Sequence, residues 1–266
     1  MIPLSSLIPA GWLTLAEPGT ISIVFGARLP SMEACDEIRT FGLVSGLGVG
    51  AGMFYYKALV DAHLALGLTP RLLMVHADVR YVLAQATARQ TTRLAEYLAG
   101  LLKQLARGGA EIAAIPAFAP QVCAAELAAI SPLPLISLLD AIADEVARKR
   151  FRRVAIFGAR VTMETQMFGK LSNIEVLTPA ADELDAVAET YSRIVEQASA
   201  SEEDFGGLRA IAHRLIERER LDGIVLAGTD LAFVFNPANT DFPHVDGARA
   251  HVEAIMRRIA PSAIAT

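Results

Sequence analysis

The sequence has few cysteines and no concentration of metal-binding side chains. Cys35 and Cys123 are the only cysteines among 266 residues, and the five histidines are scattered. Two distant cysteines provide neither a disulfide framework nor the closely spaced thiolates of a zinc site. We therefore expect no disulfide and no metal site, and a reducing cytoplasm is the simplest compartment for such a chain.

Charged residues are also scarce, and they leave a small negative excess. Only 20% of the residues are charged, and the formal net charge is −5. An acidic chain has no general electrostatic attraction to nucleic acid or to an anionic membrane. The expected partner is therefore a small molecule.

A long uninterrupted hydrophobic run is missing as well. Residues 1–16 carry no charge, but Pro3 and Pro9 interrupt them and no basic segment precedes them. A membrane span needs about 20 continuous apolar residues, and a signal peptide begins with basic residues. We expect neither. Residues 1–38 are interpreted as an N-terminal extension that is either loosely docked or upstream of a start at Met32.

After this extension the chain alternates apolar strands with amphipathic helices. It is 53% hydrophobic, which favours helices packed closely on buried strands. The predicted strands are Phe41–Ser45, Arg71–His76, Glu111–Ile115, Pro134–Ser137, Arg152–Phe157, Asn173–Leu177, Gly223–Ala227 and Pro243–Asp246. The predicted helices cover about 53–66, 87–107, 121–129, 139–149, 182–198 and 203–220, with a short helix near Thr162 and a last one that ends at Ile259.

This alternation predicts the fold class. Strands that alternate with helices imply parallel sheets joined by right-handed crossovers. Two series of similar length predict an α/β fold of two pseudo-symmetric lobes, each a short, mostly parallel sheet flanked by helices, with a ligand cleft between them. Lobe one is expected to comprise 39–138 and 240–266, and lobe two 139–239.

Two strand ends define the expected site. Leu221–Leu231 contains an apolar strand that breaks at Gly228, and Gly109–Pro120 repeats this pattern with small residues where its strand ends. Open α/β sheets bind ligands beyond the carboxyl ends of their strands, where backbone N–H groups and helix N-termini converge. We therefore predict the site between the loops that follow Ile115 and Ala227.

Polar residues follow these strands and a neighbouring one. Thr229 and Asp230 come directly after the later strand, and Asp230 fits a site role and a helix N-cap equally well. His76 is a candidate acid or base with Asp78 close by, although a histidine and an aspartate so spaced also form loop hydrogen bonds.

Further candidates for substrate binding lie at other junctions. Arg160 and Thr162 follow the first strand of lobe two, where an arginine and a helix N-terminus suit a carboxylate, and a surface arginine is an equal alternative. The glycines from Gly46 to Gly52 lack the spacing of a dinucleotide loop, and we interpret them as a turn that lets substrate approach the backbone. His251, near the last strand, either reaches the cleft or is structural.

Five segments, taken in order, resemble one protein family. They are Gly42–Gly46 with Tyr55 and Tyr56, Gly109–Ala110 before Ile115–Pro116, Phe157–Glu164, Asp222–Asp230, and Asp246 followed by His251. From about Thr40 to Ile259 the chain is similar to the aspartate/glutamate racemase superfamily. This resemblance implies an amino acid or dicarboxylate held between two lobes, cofactor-independent proton exchange at the carbon next to a carboxylate, and a homodimer.

In that family, one cysteine follows the apolar strand of each lobe, and the two thiols carry the proton. The matching positions here are Ala117 and Gly228, so both thiols are missing. A methyl group and a hydrogen cannot carry a proton, which excludes the thiol-pair mechanism. The resemblance matches Thr229 to a carboxylate-binding threonine and Asp230 to a glutamate. Cys123 is expected to be a small buried residue of an apolar helix face.

The loop around Ala117 also changes the expected ligand. Phe118 stands where the family has a small polar residue that recognises the substrate, and Ala117 and Ala119 flank it. If these residues line the cleft, that half of the pocket is apolar, and the ligand is larger or less polar than aspartate. Alternatively, Phe118 turns inward and fills the core.

Two functions remain open. The first is a thiol-free enzyme that isomerises, decarboxylates, eliminates or cyclises at the carbon next to a carboxylate, with Asp230, Thr229 and His76 as acid–base or oxyanion-binding groups. The second is a catalytically inactive family member that binds an amino-acid-like ligand. The retained Thr229 and Asp230 favour the enzyme, and the loss of both bases favours binding. A cavity in which Asp230, His76 and Arg160 converge would favour the enzyme.

Overall fold

The computed structural model describes residues 38–264, together with the backbone of two short strands near the N-terminus. The chain divides into two units, 1–36 and 37–266. In the first unit, β1 (Thr14–Leu15) pairs antiparallel with β2 (Ile21–Ser22). Met32 and Cys35 lie outside the described residues, so the expectations for them stay predictions.

The first sheet of the second unit has three parallel strands. They are β3 (Phe41–Ser45), β4 (Leu72–His76) and β5 (Ile112–Ala114), in the order β4–β3–β5. Phe41 lies opposite both Leu72 and Ile112, so the strands run together towards one edge. The strand predicted over 134–137 is reduced to a bridge between Leu135 and Ala113, because the prolines around it have no N–H to donate to a ladder.

The second sheet has four parallel strands. They are β6 (Arg153–Gly158), β7 (Glu175–Leu177), β8 (Gly223–Ala227) and β9 (His244–Asp246), in the order β7–β6–β8–β9. Val245 of β9 lies opposite Val225 of β8. The assignment of all of 240–266 to lobe one is therefore wrong at β9, which supplies the hydrogen-bonding partner that the edge of β8 needs. The α/β fold with two parallel sheets is confirmed.

Helices connect and flank the strands. They are α1 (Val49–Ala65), α2 (Val79–Thr87), α3 (Thr91–Arg107), α4 (Ala124–Ile130), α5 (Leu138–Arg148), α6 (Arg160–Glu164), α7 (Ala181–Gln197), α8 (Glu202–Glu219), α9 (Gly247–Ile259) and α10 (Pro261–Ile264), and two 3-10 helices cover Ala119–Cys123 and Thr229–Phe233. The helix predicted over 87–107 begins only at Thr91, because Arg89 adopts a left-handed conformation with a φ of 51° and separates α2 from α3. Within 38–264, no helix has the length and apolarity needed to cross a membrane.

The last long helix packs back on the first sheet. Val252, Ile255 and Ile259 of α9 share one core with Phe41 and Tyr55. Burying an aliphatic side chain of this size contributes about 2 kcal/mol. The two sheets are thus held together by a helix that follows a strand of the second and covers the first.

Candidate functional site

Two polar residues, Thr229 and Asp230, lie just beyond the end of strand β8 and close to the first sheet. All five residues of β8 are buried, as expected of an apolar strand with a neighbour on each side. After Gly228 the chain enters the 3-10 helix Thr229–Phe233, which contacts α1 next to the first sheet. Thr229 and Asp230 are consequently only 3% and 2% exposed.

Asp230 caps the N-terminus of α1 from the opposite lobe. Its Oδ1 accepts a hydrogen bond of 3.0 Å from the N–H of Ala51, the third residue of that helix. Gly48, the N-cap residue, has no side chain to make this bond. A Cβ atom at Gly48 or at Gly50 would lie 3.0 Å from a carboxylate oxygen of Asp230. The lack of a side chain at these two glycines therefore leaves room for the carboxylate of Asp230. We had expected it to leave room for a substrate.

Burial changes the acidity of this carboxyl group. Loss of hydration raises the pKa of Asp230 from its ordinary value of 3.8 to about 6, and hydrogen bonds from Ala51, Thr229 and Tyr191 oppose the rise. Groups that titrate near neutrality are suited to general acid–base chemistry. Asp230 thus caps a helix through its bond to Ala51 and also has a pKa suited to proton transfer.

Tyr191 of α7 joins Thr229 and Asp230 in a polar cluster. Its hydroxyl hydrogen-bonds to Thr229 and Asp230. Burial, and then the charge of Asp230, raise the pKa of Tyr191 well above its ordinary value of 10. The phenol therefore stays protonated and donates to the carboxylate. We call Thr229, Asp230 and Tyr191 the Asp230 cluster.

A cavity of about 750 Å³ lies beside this cluster. Its walls come from the ends of β3 and β4, from the first half of α1, and from Ala198 and Phe233 of the other lobe. Gly50 and Phe233 both line it, and a Cβ atom at Gly50 would come within 3.0 Å of both Phe233 and Asp230. The carboxylate of Asp230 therefore lies behind the cavity wall at Gly50.

Two of the predicted site residues line this cavity, together with one that the sequence did not single out. They are His76, Gly46 and Ser45. Ser45 and His76 are register partners on β3 and β4, so they lie side by side where these strands end. Gly46 has a φ of 87°, and a Cβ atom there would collide with the backbone of Ala77 and the ring of His76. A glycine at 46 is thus required for His76 to occupy its position.

Residues 44–255 match the model of the Asp/Glu/Hydantoin racemase family. The chain belongs to this family. Among solved structures with this fold, an aspartate racemase homologue from Pyrococcus horikoshii is 20% identical with a TM-score of 0.70, over 85% of this chain and 100% of that one. The aspartate racemase of Picrophilus torridus is 15% identical with a TM-score of 0.62, over 82% and 93%.

A glutamate racemase from Francisella tularensis, solved with D-glutamate, is 14% identical with a TM-score of 0.59, over 85% of this chain and 82% of that one. At these identities the likeness establishes the fold. None of the curated proteins matches the chain.

In this member of the racemase family, the two positions that the resemblance matches to thiols are buried. Ala117 is only 5% exposed. At Gly228, a Cβ atom would lie 2.4 Å from Cε2 of Tyr191, so the ring occupies the space that a thiol side chain needs. Cys123 is no substitute, because its Sγ donates to the carbonyl of Pro120 and burial raises the pKa of its thiol to about 11.

The apolar loop after β5 does not form a wall of the 750 Å³ cavity. Phe118 turns inward, is 6% exposed, and packs into the core of the second sheet. Ala117, Ala119 and Gly228 do not line the cavity either. Phe118 thus follows the alternative in which its ring fills the core, and a ligand contact of Ala117, Ala119 or Gly228 stays a prediction.

Two more predicted site residues have structural partners. Asp78 is the N-cap of α2 and accepts hydrogen bonds from N–H groups of its first turn. Arg160 forms ion pairs with Asp185 and Glu164 and lines a different cavity along α7. Arg160 therefore does not share a cavity with His76, and the convergence with Asp230 and His76 that would have favoured the enzyme is not found.

His251 is a buried structural residue. Its Nε2 donates to the carbonyl of Ile136 and its Nδ1 accepts from the hydroxyl of Tyr55, both at 3.0 Å. Burial lowers the pKa of His251 to about 4, so the imidazole is neutral at pH 7. Both nitrogens are occupied, which leaves neither of them for a ligand. The option that His251 reaches the cleft is not supported.

Thr162 is fully buried on α6, and its Oγ1 has no hydrogen-bond partner. An unpaired buried hydroxyl costs about 1–3 kcal/mol. Three consecutive residues shortly after it, Gln166, Met167 and Phe168, adopt left-handed conformations. Thr162 does not line the 750 Å³ cavity, so a contact with a ligand there is not supported.

The residues of the candidate site that sequence reasoning missed have no local signal. Tyr191 lies on an amphipathic helix, where a tyrosine ordinarily indicates packing, and Ser45 is the last residue of a buried strand. Ala51 contributes only its backbone N–H. Among the described residues, no three His, Cys, Asp or Glu side chains are grouped so that they could hold a metal ion.

Proposed function

We propose that this racemase-family protein is an enzyme that moves a proton at the carbon next to a substrate carboxylate without thiols. The observation that carries the proposal is Asp230, a buried carboxyl with a pKa of about 6 beside a cavity between the lobes. Perturbed acidity of this kind concentrates at functional sites. The reaction class is isomerisation, decarboxylation, elimination or cyclisation.

The roles are divided between the cavity and its wall. His76 lines the cavity and is exposed, and an imidazole can act as an acid or a base. Asp230 is the second titratable group, and Thr229 and Tyr191 hold its carboxylate by hydrogen bonds. The N–H groups of Val49 and Gly50 begin α1 at the same wall and favour an anion there.

A second function has an observation in its favour. Ala117 and Gly228 carry no reactive group, and the ring of Tyr191 occupies the space at Gly228. A family member that only binds its ligand needs no base at either position. Binding without turnover is therefore the alternative, and the experiment below distinguishes the two.

The experiment is exchange of the α-proton for deuterium, measured by NMR in D₂O over a panel of amino acids, dicarboxylates and arylated acids. We expect exchange with the wild type, a loss of at least about 100-fold in Asp230→Asn, and a loss of at least about tenfold in His76→Gln. Leu83→Gln is the control, because Leu83 is exposed on α2 and does not line the cavity. Ligand-induced shifts without exchange would contradict the enzyme and support the binding protein.

The proposal includes three features that rest on the family resemblance and the cysteine content. The reaction is cofactor-independent, the protein is a homodimer, and it is located in the cytoplasm. The homodimer is tested by sedimentation of the wild type, in which a monomer at micromolar concentration would contradict it.

A further inference from the structure

The cavity beside the Asp230 cluster is lined mainly by apolar side chains that are exposed to solvent. Eleven large hydrophobic side chains are exposed in the described part of the chain, and four of them, Val49, Met53, Tyr56 and Met74, line this one cavity. Their exposed fractions range from 44% to 69%. Exposed apolar surface concentrated in one concave place indicates a site that is covered by a ligand or a partner.

The polar groups of the cavity carry no negative charge. Its lining contains no aspartate and no glutamate, and its polar side chains are Ser45, Tyr56, Lys57 and His76. Lys57 is paired with Asp61 at 2.5 Å on the outer surface of α1. Asp230 lies next to the wall at Gly50 and is not one of the residues that line the cavity. An ammonium group in the cavity would therefore find no carboxylate among the lining side chains, whereas a carboxylate would find donors.

The size of the cavity agrees with a ligand larger than a simple dicarboxylate. Its volume is about 750 Å³, within the range of about 300–1,000 Å³ that is typical of small-molecule sites. The donors Ser45 and His76 lie together at the strand ends, while Met53 and Met74 belong to its apolar walls. A second carboxylate would lie against Met53 and Met74, which offer it no hydrogen-bond donor.

We infer that the substrate of this site is a monocarboxylic acid that carries a bulky apolar group, aromatic or branched, and has no free amino group. This inference rests on the proposed function for its reacting carbon. The carboxylate lies near Ser45 and His76 at the start of α1, and the apolar group covers Met53 and Met74. The substrate class therefore differs from the aspartate and glutamate named for the structural relatives.

The test is binding, measured by NMR titration of the full-length wild type with four probes. They are 3-phenylpropionate, L-phenylalanine, 3-phenylpropanamide and L-aspartate. L-Phenylalanine adds only an ammonium group to 3-phenylpropionate, and the amide removes only its charge. We expect 3-phenylpropionate to bind at least about tenfold more tightly than each of the other three, and to shift the ring signals of His76. Tighter binding of either amino acid would overturn the inference.

A pair of variants locates the binding. Met53→Gln makes an exposed wall of the cavity polar, and Leu83→Gln makes the same kind of change at an exposed residue elsewhere. We expect the first to weaken binding of 3-phenylpropionate about fivefold and the second to leave it unchanged. Equal binding by both variants would overturn the location. Dissociation of a dimer by Met53→Gln, with binding unaffected, would assign the apolar surface to a subunit contact instead.

The outcomes separate this inference from the proposed function. Binding of 3-phenylpropionate without α-proton exchange on any acid would support the inferred ligand class and contradict the proposed enzymatic function. Exchange of the α-proton of aspartate, with no binding of 3-phenylpropionate, would support the proposed enzymatic function and contradict the inferred ligand class.

Discussion

Replacing Asp230 by asparagine is expected to increase the free energy of unfolding at pH 7.5 by about 3 kcal/mol while proton exchange is lost. Burial raises the pKa of this carboxyl from 3.8 to about 6, and that difference is the cost of keeping it ionised in the folded protein. Asparagine keeps an oxygen that accepts from Ala51 and carries no charge. A residue that weakens the fold and is needed for activity is typical of a functional site.

The sign of the pH dependence follows from the direction of the shift. The folded protein binds the proton of Asp230 more tightly than the unfolded chain does, so this group contributes stability below about pH 4. That contribution is lost as the pH rises to about 6 and stays lost above it. His251 acts in the opposite direction, because burial lowers its pKa to about 4, and its contribution is lost as the pH falls from 6.5. The wild type alone therefore does not separate the two groups.

The measurement is urea denaturation of the wild type and Asp230→Asn at several pH values from 4 to 7.5. The difference between the two proteins isolates Asp230, and we expect it to grow with pH and to level off above about 6. Asp230→Ala is the control for the cap, because it also removes the acceptor for Ala51 and should gain less stability than asparagine. A difference that does not change with pH would contradict the raised pKa.

Replacing Gly228 by cysteine is expected to destabilise the protein by about 3 kcal/mol. A Cβ atom there would lie 2.4 Å from Cε2 and 2.8 Å from Cζ of Tyr191, so the body of the ring has to move. The backbone at Gly228, with a φ of −141°, accepts any residue. The cost therefore comes from lack of space and depends on Tyr191.

A double-mutant cycle tests this dependence. Tyr191→Ala removes the ring, and we expect Gly228→Cys to cost at least about 2 kcal/mol less in that background than in the wild type. The matched control is Gly206→Cys, since a Cβ atom at Gly206 has no atom within 4 Å. Additive effects in the cycle, or equal stability of the two cysteine variants, would show that Tyr191 does not limit the space at position 228.

Much of the fold could be predicted because its signals are local. The apolar run Gly223–Ala227 is a strand with the predicted limits, and Gly108 ends α3 as expected of a C-cap. The predictions failed where a single residue changes the backbone. Arg89, in a left-handed conformation, divides a helix that periodicity alone would continue, and β9 joins the second sheet through an edge that no local pattern reveals.

Less of the site could be predicted, because its contacts join distant parts of the chain. Asp230 could be predicted as a site residue because it is a polar residue that directly follows a buried strand. Its partner Ala51 is 179 residues away and contributes a backbone N–H. Tyr191 is a helix residue whose ring meets Gly228 only in the folded protein. His251 and Phe118 are buried by similar long-range packing.

The role of Asp230 in proton transfer is tested most directly by titrating its carboxyl carbon. In protein labelled with ¹³C-aspartate, the signal is assigned by its absence in Asp230→Asn and followed by NMR from pH 3 to 9. We expect a midpoint near 6, set by burial against the hydrogen bonds of Ala51, Thr229 and Tyr191. A midpoint near 3.8 would mean that Asp230 is an ordinary ionised cap and would contradict its assignment as the proton-transfer group.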